Sequence, residues 1–327
     1  MKKLLLSILA LGMILTGCAG ETSSNLPQNL SEAKIGVIQL AKHDALDASY
    51  QGFKDVLVSA GVDENNIRYE IAGEIPNCTT VADTLVNGGN HLIYAIATPA
   101  LQAAAATTET LPIVGCAVTD YVETKLVSSN EVPGGNVTGA SDLTPIKEQF
   151  DLITQLLPNA KKVAIMYCGS EDNSKLQAKI AIDAAKNKNL EYKEYKVSDS
   201  NDIQAVTQQI INDQNDVVYI PTDNLLATYM TSVESMTSPA GIPIIAGEEG
   251  MTKAGGYATY GLNYYNLGKV AGEQALAILK GEKTAANTSI AYLDASNCQM
   301  IINLKVAKKC GLSTNKADYP AEATFVE

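Results

Sequence analysis

The chain has 327 residues, of which 46% are hydrophobic and 18% are charged, and its formal net charge is −12. This length allows two domains with sizeable cores, and the composition excludes a disordered tail or a collagen-like repeat. The acidic excess argues against a nucleic-acid-binding surface. Arg68 is the only arginine, and His43 and His91 are the only histidines. Few residues are therefore available for arginine clamps, histidine-based catalysis or histidine-rich metal sites.

The N-terminus is typical of an exported bacterial protein. Met1-Lys2-Lys3 precedes an apolar run over 4–15, which is too short to span a membrane and fits a secretory signal. The run ends in Leu15-Thr16-Gly17-Cys18, which resembles the lipobox of bacterial lipoproteins. We therefore predict a signal peptide over 1–17, lipidation of Cys18 and a polar tether over 18–33, placing the protein outside the cytoplasm on a lipid anchor. An ordinary signal peptide with an incidental cysteine is the alternative.

In the first half of the chain, short apolar runs alternate with helical patterns. The runs predict strands at 35–40, 67–72, 91–97 and 111–118, and the helical patterns lie at 45–60 and 81–87. Thr98-Pro99 opens a further helix, with threonine as the N-cap and proline at the first helical position. Residues 119–143 are predicted to form an irregular connection.

The same alternation is repeated in the second half. We predict helices at 144–157, 173–188, 202–212, 224–236 and 265–280, and strands at 162–167, 190–197, 216–220, 243–246 and 258–262. Strands separated by helices imply right-handed βαβ units and parallel sheets. Two series of about four units favour two doubly wound α/β lobes. A single (β/α)8 barrel is the alternative, because the number of strands is close to eight.

Ligands of open parallel sheets bind beyond the carboxyl ends of the strands. The predicted strand-to-helix corners are rich in Thr, Asp, Asn and Gln. Helix N-termini and hydroxyls suit a carboxylate, and clustered carboxylates suit an ammonium, so the corners favour a zwitterionic ligand. Helix capping is the competing interpretation for each residue, and we favour it for Thr98 and Thr144.

Motifs for catalysis are missing from the sequence. It contains no G-x-S-x-G, H-E-x-x-H or Walker A motif, and His43 beside Asp44 has no nucleophile in its local context. No C-x-x-C pair is present, while a disulfide between Cys298 and Cys310 remains open. We therefore expect binding without bond-making, with no cofactor and no metal site.

Six segments carry a family resemblance: QLAKHDALDASYQGF (39–53), AIATPALQAAA (95–105), AVTDYV (117–122), GGNVTGASDLTPIKEQ (134–149), YIPTDN (219–224) and YATYGLNYYNLGKVAGEQA (257–275). They resemble the ABC transporter substrate-binding lipoproteins of tryptophan and tyrosine uptake. The resemblance covers essentially the whole mature chain.

The resemblance implies a periplasmic-binding-protein type I fold, with two α/β lobes, three crossovers between them and a ligand held in the cleft. It implies a first lobe over 34–140 plus about 263–285 and a second lobe over 141–262 plus about 286–327. The ligand-binding positions that it implies are Gln39, His43, Thr98, Thr119, Asp120, Asp142, Thr222, Asp223 and Asn224.

The same resemblance implies a ligand class and a partner protein. The expected ligand is an aromatic or apolar amino acid, and the expected partner is an ABC permease with its ATPase. We expect a monomer. An extracytoplasmic sensor or enzyme on the same two-lobe scaffold is the alternative, since a fold alone does not define a function.

Overall fold

The computed structural model describes residues 26–327, which form two α/β lobes, each built on its own sheet. The two separate sheets confirm the prediction of two lobes and show that the single-barrel alternative is wrong. The signal peptide, Cys18 and residues 19–25 lie outside the described residues. Between residues 26 and 327, no helix is both long and apolar enough to cross a membrane.

The first lobe is built on a six-stranded sheet in which every neighbouring pair is parallel. Its strands are β1 (Ile35–Gln39), β2 (Ile67–Ile71), β3 (Leu92–Ile96), β4 (Ile113–Val118), β5 (Val137–Ser141) and β11 (Ala291–Tyr292), in the spatial order β11-β5-β4-β3-β1-β2. Its helices are α1 (Asp44–Ser59), α2 (Cys78–Val86), α3 (Thr98–Thr107) and α10 (Tyr264–Leu279). β1, β3 and β4 are buried along their whole length, as expected for a sheet covered on both faces.

The second lobe is built on a seven-stranded sheet. Its strands are β6 (Lys162–Cys168), β7 (Glu191–Val197), β8 (Val217–Ile220), β9 (Ile244–Ala246), β10 (Ala258–Leu262), β12 (Cys298–Asn303) and β13 (Thr324–Val326), in the order β13-β12-β10-β9-β8-β6-β7. Its helices are α4 (Ile146–Leu156), α5 (Asp172–Asn187), α6 (Ile203–Asn212), α7 (Asn224–Thr228), α8 (Met230–Thr237), α9 (Glu249–Ala254) and α11 (Leu304–Lys309). β12 is antiparallel to β10, and the other pairs are parallel.

The chain passes between the lobes three times, after β5, after β10 and after β11. The last segment of the second lobe was predicted to begin at about 286, but the pairing of β11 with β5 places this third crossing later in the chain. Ala291 and Tyr292 pair with Ala140 and Ser141 of β5, so this segment belongs to the first lobe.

Several elements differ from the sequence-based predictions. β5 lies inside the stretch predicted to be irregular. Its sequence VTGAS contains no apolar run that would predict a strand, and its pairing with β4 fixes it as one. The single helix predicted over 224–236 is interrupted at Tyr229 and forms α7 and α8. β12, β13 and α11 were not predicted. Cys298 and Cys310 are both free thiols, so they do not form the disulfide that the sequence left open.

α1 and α10 pack at very close range on the first lobe. A Cβ atom at Gly52 would overlap the carbonyl oxygen of Tyr265, and one at Gly268 would overlap the carbonyl oxygen of Ser49. The two glycines therefore let the helix backbones approach each other. This contact fixes the N-terminus of α10, where the chain enters the first lobe beside the cleft.

Candidate functional site

A small cavity lies between the two lobes, at the carboxyl ends of their strands. We call it the interlobe cavity, and it is lined by His43, Ala45, Leu46, Ala117, Asp142, Asn173, Thr222, Asp223, Asn224, Ala227, Glu248, Met251 and Tyr264. Its volume is about 10 Å³, which is room for roughly one water molecule. The lobes are therefore closed on each other.

The corner after β8 supplies three of the predicted residues: Thr222, Asp223 and Asn224 all line the interlobe cavity. Asp223 Oδ1 accepts a hydrogen bond from the Leu226 N–H at 2.8 Å, and Oδ2 accepts one from the Cys168 N–H at 2.6 Å. Asp223 thus caps α7 and joins the ends of β6 and β8. Because each carboxylate oxygen has two lone pairs, capping leaves acceptor capacity for a ligand.

The corner after β6 supplies two side chains that the sequence analysis did not single out. Glu171 accepts hydrogen bonds from Asn224 Nδ2 at 2.5 Å and from the Leu225 N–H at 3.1 Å. Asn173 Nδ2 donates to Glu171 Oε2 at 3.1 Å and to the Thr222 carbonyl oxygen at 3.2 Å. Burial raises the pKa of the Glu171 carboxyl, and the charge of Asp223 raises it further. The position of Glu171 and Asn173 in the corner after a strand was the sequence signal that could have identified them.

Asp142 lies at the first crossing between the lobes. Its Oδ2 accepts from the Tyr264 hydroxyl at 2.7 Å, and its Oδ1 accepts from the Thr119 hydroxyl at 3.3 Å. Burial raises the pKa of Asp142 to about 6, although both hydrogen bonds act in the opposite direction. Tyr264, which the sequence analysis also missed, brings the start of α10 to the interlobe cavity.

Glu248 caps α9 from the corner after β9. Its carboxylate accepts from the Gly250 N–H and from the Met251 N–H, and burial raises its pKa to about 7. Glu248 is not among the residues predicted to bind the ligand. It nevertheless lines the interlobe cavity.

His43 links the lobes from the first side. Its Nε2 lies 3.3 Å from Asn224 Oδ1 in the second lobe, and its Nδ1 has no hydrogen-bond partner among the described residues. Burial lowers the pKa of His43. Burial thus favours the neutral form of the ring.

The other four predicted residues do not line the interlobe cavity. Gln39 Nε2 donates to Asp47 Oδ1 at 2.7 Å and holds the loop that precedes α1. Asp120 Oδ1 accepts from two N–H groups of the following turn. Thr119 hydrogen-bonds with Asp142 and with Gln177 of the second lobe.

Thr98 is buried at the end of β3, and the capping interpretation is wrong for it. The N-cap of α3 is Ala97, with φ of 86°, and Thr98 is the first helical residue. Its hydroxyl has no hydrogen-bond partner among residues 26–327, and the same holds for Thr144, which lies before α4 and does not cap it.

Two doubly wound lobes that close over a polar cavity at their strand ends are the architecture of the type I periplasmic-binding proteins. The family model for ABC transporter substrate-binding proteins matches residues 34–320, and the chain belongs to this family. It is the substrate-binding protein of an ABC transporter, with a small-molecule ligand, and proteins of this kind act outside the cytoplasm. The family does not favour the sensor or enzyme alternative.

Three relatives are close over most of the chain. A tyrosine-binding protein of Clostridioides difficile (strain R20291) is 37% identical over 97% of this chain and 94% of its own length. An ABC domain from Streptococcus pneumonia in complex with L-Trp is 32% identical, with a TM-score of 0.84 over 90% of this chain and 99% of that chain. The ligand-free, open structure of a substrate-binding protein with adhesive properties from Clostridium difficile is also 32% identical, with the same coverage and a TM-score of 0.66.

Proposed function

We propose that the protein captures an aromatic or other apolar amino acid between its lobes and delivers it to a membrane permease driven by an ATPase. The observation that carries the proposal is the mixed lining of the interlobe cavity. Three buried carboxylates line it together with apolar side chains from both lobes: Asp142, Asp223 and Glu248, and Ala45, Leu46, Ala117, Ala227 and Met251. An ammonium and an apolar side chain on one ligand match these two kinds of lining. The tyrosine-binding and tryptophan-bound relatives support this ligand class.

Binding works through closure of the lobes. An amino acid is too large for the interlobe cavity of about 10 Å³, so it enters while the lobes are apart and contacts both when they close. The ligand then shifts the equilibrium towards the closed arrangement. The comparisons support this motion, because the TM-score is 0.84 to the tryptophan complex and 0.66 to the open, ligand-free structure.

For the ligand contacts, we propose that Asp223 and Asp142 receive the ammonium and that His43, Thr222 and Asn224 complete the polar wall. Thr98 is the candidate donor to the carboxylate, and Thr119, whose one hydroxyl proton is donated to Asp142, holds that side chain in place. The free hydroxyl of Thr98 supports its role as that donor. Gln39 stabilises the loop that precedes α1, and Asp120 stabilises the turn that follows it in the chain.

The test is a thermal-shift screen over the common amino acids, followed by calorimetry. A ligand that binds only the folded protein stabilises it by RT ln(1 + [L]/Kd). We expect tyrosine, tryptophan or another apolar amino acid to raise Tm, and charged amino acids to leave it unchanged. A screen in which no aromatic or apolar amino acid raises Tm would contradict the proposal.

We further propose that the protein is a monomer held to the membrane through lipidated Cys18. The basic, apolar and Leu15-Thr16-Gly17-Cys18 segments support this anchor. Cys18→Ala should release the protein from the membrane fraction or leave its precursor unprocessed. Normal processing with full membrane retention would contradict the lipoprotein interpretation.

A further inference from the structure

Helices α1 and α9, which belong to different lobes, touch at the rim of the interlobe cavity. Asp44 is the first residue of α1 and Gly250 is the second residue of α9, and the next residue on each helix, Ala45 and Met251, lines the cavity. A Cβ atom at Gly250 would lie 2.8 Å from Asp44 Cβ, whereas two non-bonded carbon atoms pack at about 3.5–4.0 Å. The closed arrangement therefore has no room for a side chain at position 250.

Neither helix can give way within its own lobe. Met251 of α9 is 0% exposed, so this helix is packed into the second lobe. α1 is fixed by its close contact with α10 at Gly52 and Gly268. Asp44 Cβ is bonded directly to the backbone of α1, and rotation of the side chain does not move it. A methyl group at Gly250 is therefore accommodated by separation of the lobes.

The second lobe by itself tolerates an alanine at this position. The backbone of Gly250 lies outside the left-handed region of positive φ, and alanine favours a helix more than glycine does. The nearest atoms of its own lobe would be the carboxylate oxygens of Glu248, at 3.1 and 3.2 Å from the added Cβ, and these lie at the end of a side chain that can shift. The constraint on position 250 thus comes from the other lobe.

We infer that Gly250 sets how far the lobes close, and that a single methyl group there holds the cleft partly open and weakens ligand binding. This inference rests on the proposed function, because closure over the ligand is the step that Gly250 controls. The cross-lobe contact between His43 Nε2 and Asn224 Oδ1 is already 3.3 Å long, so a further separation of about 1 Å at the adjacent rim breaks it. Gly250 is a positioning residue, which acts through the approach of the lobes and not through contact with the ligand.

The experiment is calorimetry with tyrosine and with tryptophan, or with the apolar amino acid that the thermal-shift screen selects. We expect Gly250→Ala to weaken affinity about tenfold or more, because overpacking of a close contact is costly, while the Tm of the ligand-free protein stays the same or rises. A merely structural role would lower affinity and stability together. Gly169→Ala is the matched control in the second lobe, since a Cβ there meets only the Val197 carbonyl oxygen within 4 Å, at 3.8 Å; its affinity should be unchanged.

Two substitutions at Asp44 separate the effect of its Cβ atom from that of its carboxylate. Asp44→Gly removes both, and Asp44→Ala removes only the carboxylate. In the Asp44→Gly background, we expect Gly250→Ala to cost less than about twofold in affinity, because the overlap is gone. In the Asp44→Ala background, it should still cost about tenfold. An equal loss in both backgrounds, or an equal rescue, would overturn the inference.

The outcomes distinguish this inference from the function on which it rests. If Gly250→Ala binds the amino acid as tightly as the unchanged protein does, the inference is wrong and the proposed function stands. If no amino acid binds the unchanged protein, the proposed function is wrong, and small-angle scattering of the ligand-free proteins decides the inference. A larger radius of gyration in Gly250→Ala then supports it, and an equal radius overturns it.

Discussion

Gln177 of the second lobe donates from Nε2 to the Thr119 hydroxyl of the first lobe over 3.1 Å. The two side chains are 0% and 2% exposed, and the same Nε2 also donates to the Thr222 hydroxyl at 2.6 Å. Opening of the cleft separates Gln177 from Thr119 and brings both to water. This hydrogen bond therefore belongs to the closed arrangement and stabilises it.

We expect Thr119→Val to weaken ligand binding about fivefold or more, because the cross-lobe hydrogen bond contributes about 1 kcal/mol and the same hydroxyl also donates to Asp142. Calorimetry measures the affinity, and small-angle scattering of the ligand-free protein should show a larger open fraction. Thr107→Val is the control, since that hydroxyl bonds within α3 to the Ala103 carbonyl oxygen. An unchanged affinity in Thr119→Val would show that the bond does not affect closure.

Thr98→Val should distinguish a ligand contact from a structural hydroxyl. The substitution keeps the shape and deletes an O–H that has no partner within the protein. If this hydroxyl donates to the ligand carboxylate, affinity for the amino acid falls more than tenfold, or about 1.5–3 kcal/mol, while affinity for the corresponding amine stays the same. Calorimetry with both compounds measures the difference. A stabilised protein with unchanged affinity for both would exclude Thr98 from the site.

Arg68→Gln should leave ligand affinity within about threefold, or roughly 0.6 kcal/mol. Arg68 is the second residue of β2, and ligands bind at the opposite, carboxyl end of the strands. Its Nε pairs with Glu70 Oε1 at 3.0 Å, and half of its side chain is exposed. Calorimetry on Arg68→Gln checks this, and a large loss of affinity would mean that the ligand is bound elsewhere.

Ligand affinity should rise from pH 5 to pH 8. Burial raises the pKa of Glu248 to about 7 and of Asp142 to about 6, whereas unfolded carboxyls titrate near 4. The ligand-free protein therefore holds extra protons between about pH 4 and 7, and its stability falls as pH rises through that window. A bound ammonium favours the ionised carboxyls, so binding releases protons and strengthens as they ionise.

Calorimetry in buffers of different ionisation enthalpy counts the protons released. We expect release at pH 6 and little at pH 8. Glu248→Gln should reduce both the release and the dependence of affinity on pH. A constant affinity from pH 5 to pH 8 would show that these carboxyls do not meet the ligand's charge.

Gly268→Ala should destabilise the protein by about 3 kcal/mol or more, because the added Cβ overlaps backbone rather than a movable side chain. Thermal or denaturant unfolding measures the loss. Gly135→Ala is the control, since a Cβ there meets nothing within 4 Å. Equal unfolding midpoints for the two variants would mean that α1 and α10 can move apart at little cost.

The sequence by itself determined the features that depend on local patterns. Runs of four to eight residues, separated by amphipathic helices, predicted most strands of both sheets to within a residue or two. Because parallel strands present their carboxyl ends at one edge, the position of Thr222, Asp223 and Asn224 directly after a strand was sufficient to place them at the cleft. Asp142 and His43 came from the family resemblance, because β5, the strand before Asp142, was not predicted.

Only the tertiary structure decided features that depend on a distant partner. β5 and β11 are too short or too polar to be recognised alone, and they exist because each pairs with a neighbour. Tyr264 contacts Asp142 at the cleft, and Gln177 contacts Thr119 of the other lobe. Both residues lie on helices whose sequence pattern does not predict these contacts. Whether a hydroxyl caps a helix or stays unpaired, as at Thr98, depends on the backbone angles of its neighbour, and these are set by the packing of the whole lobe.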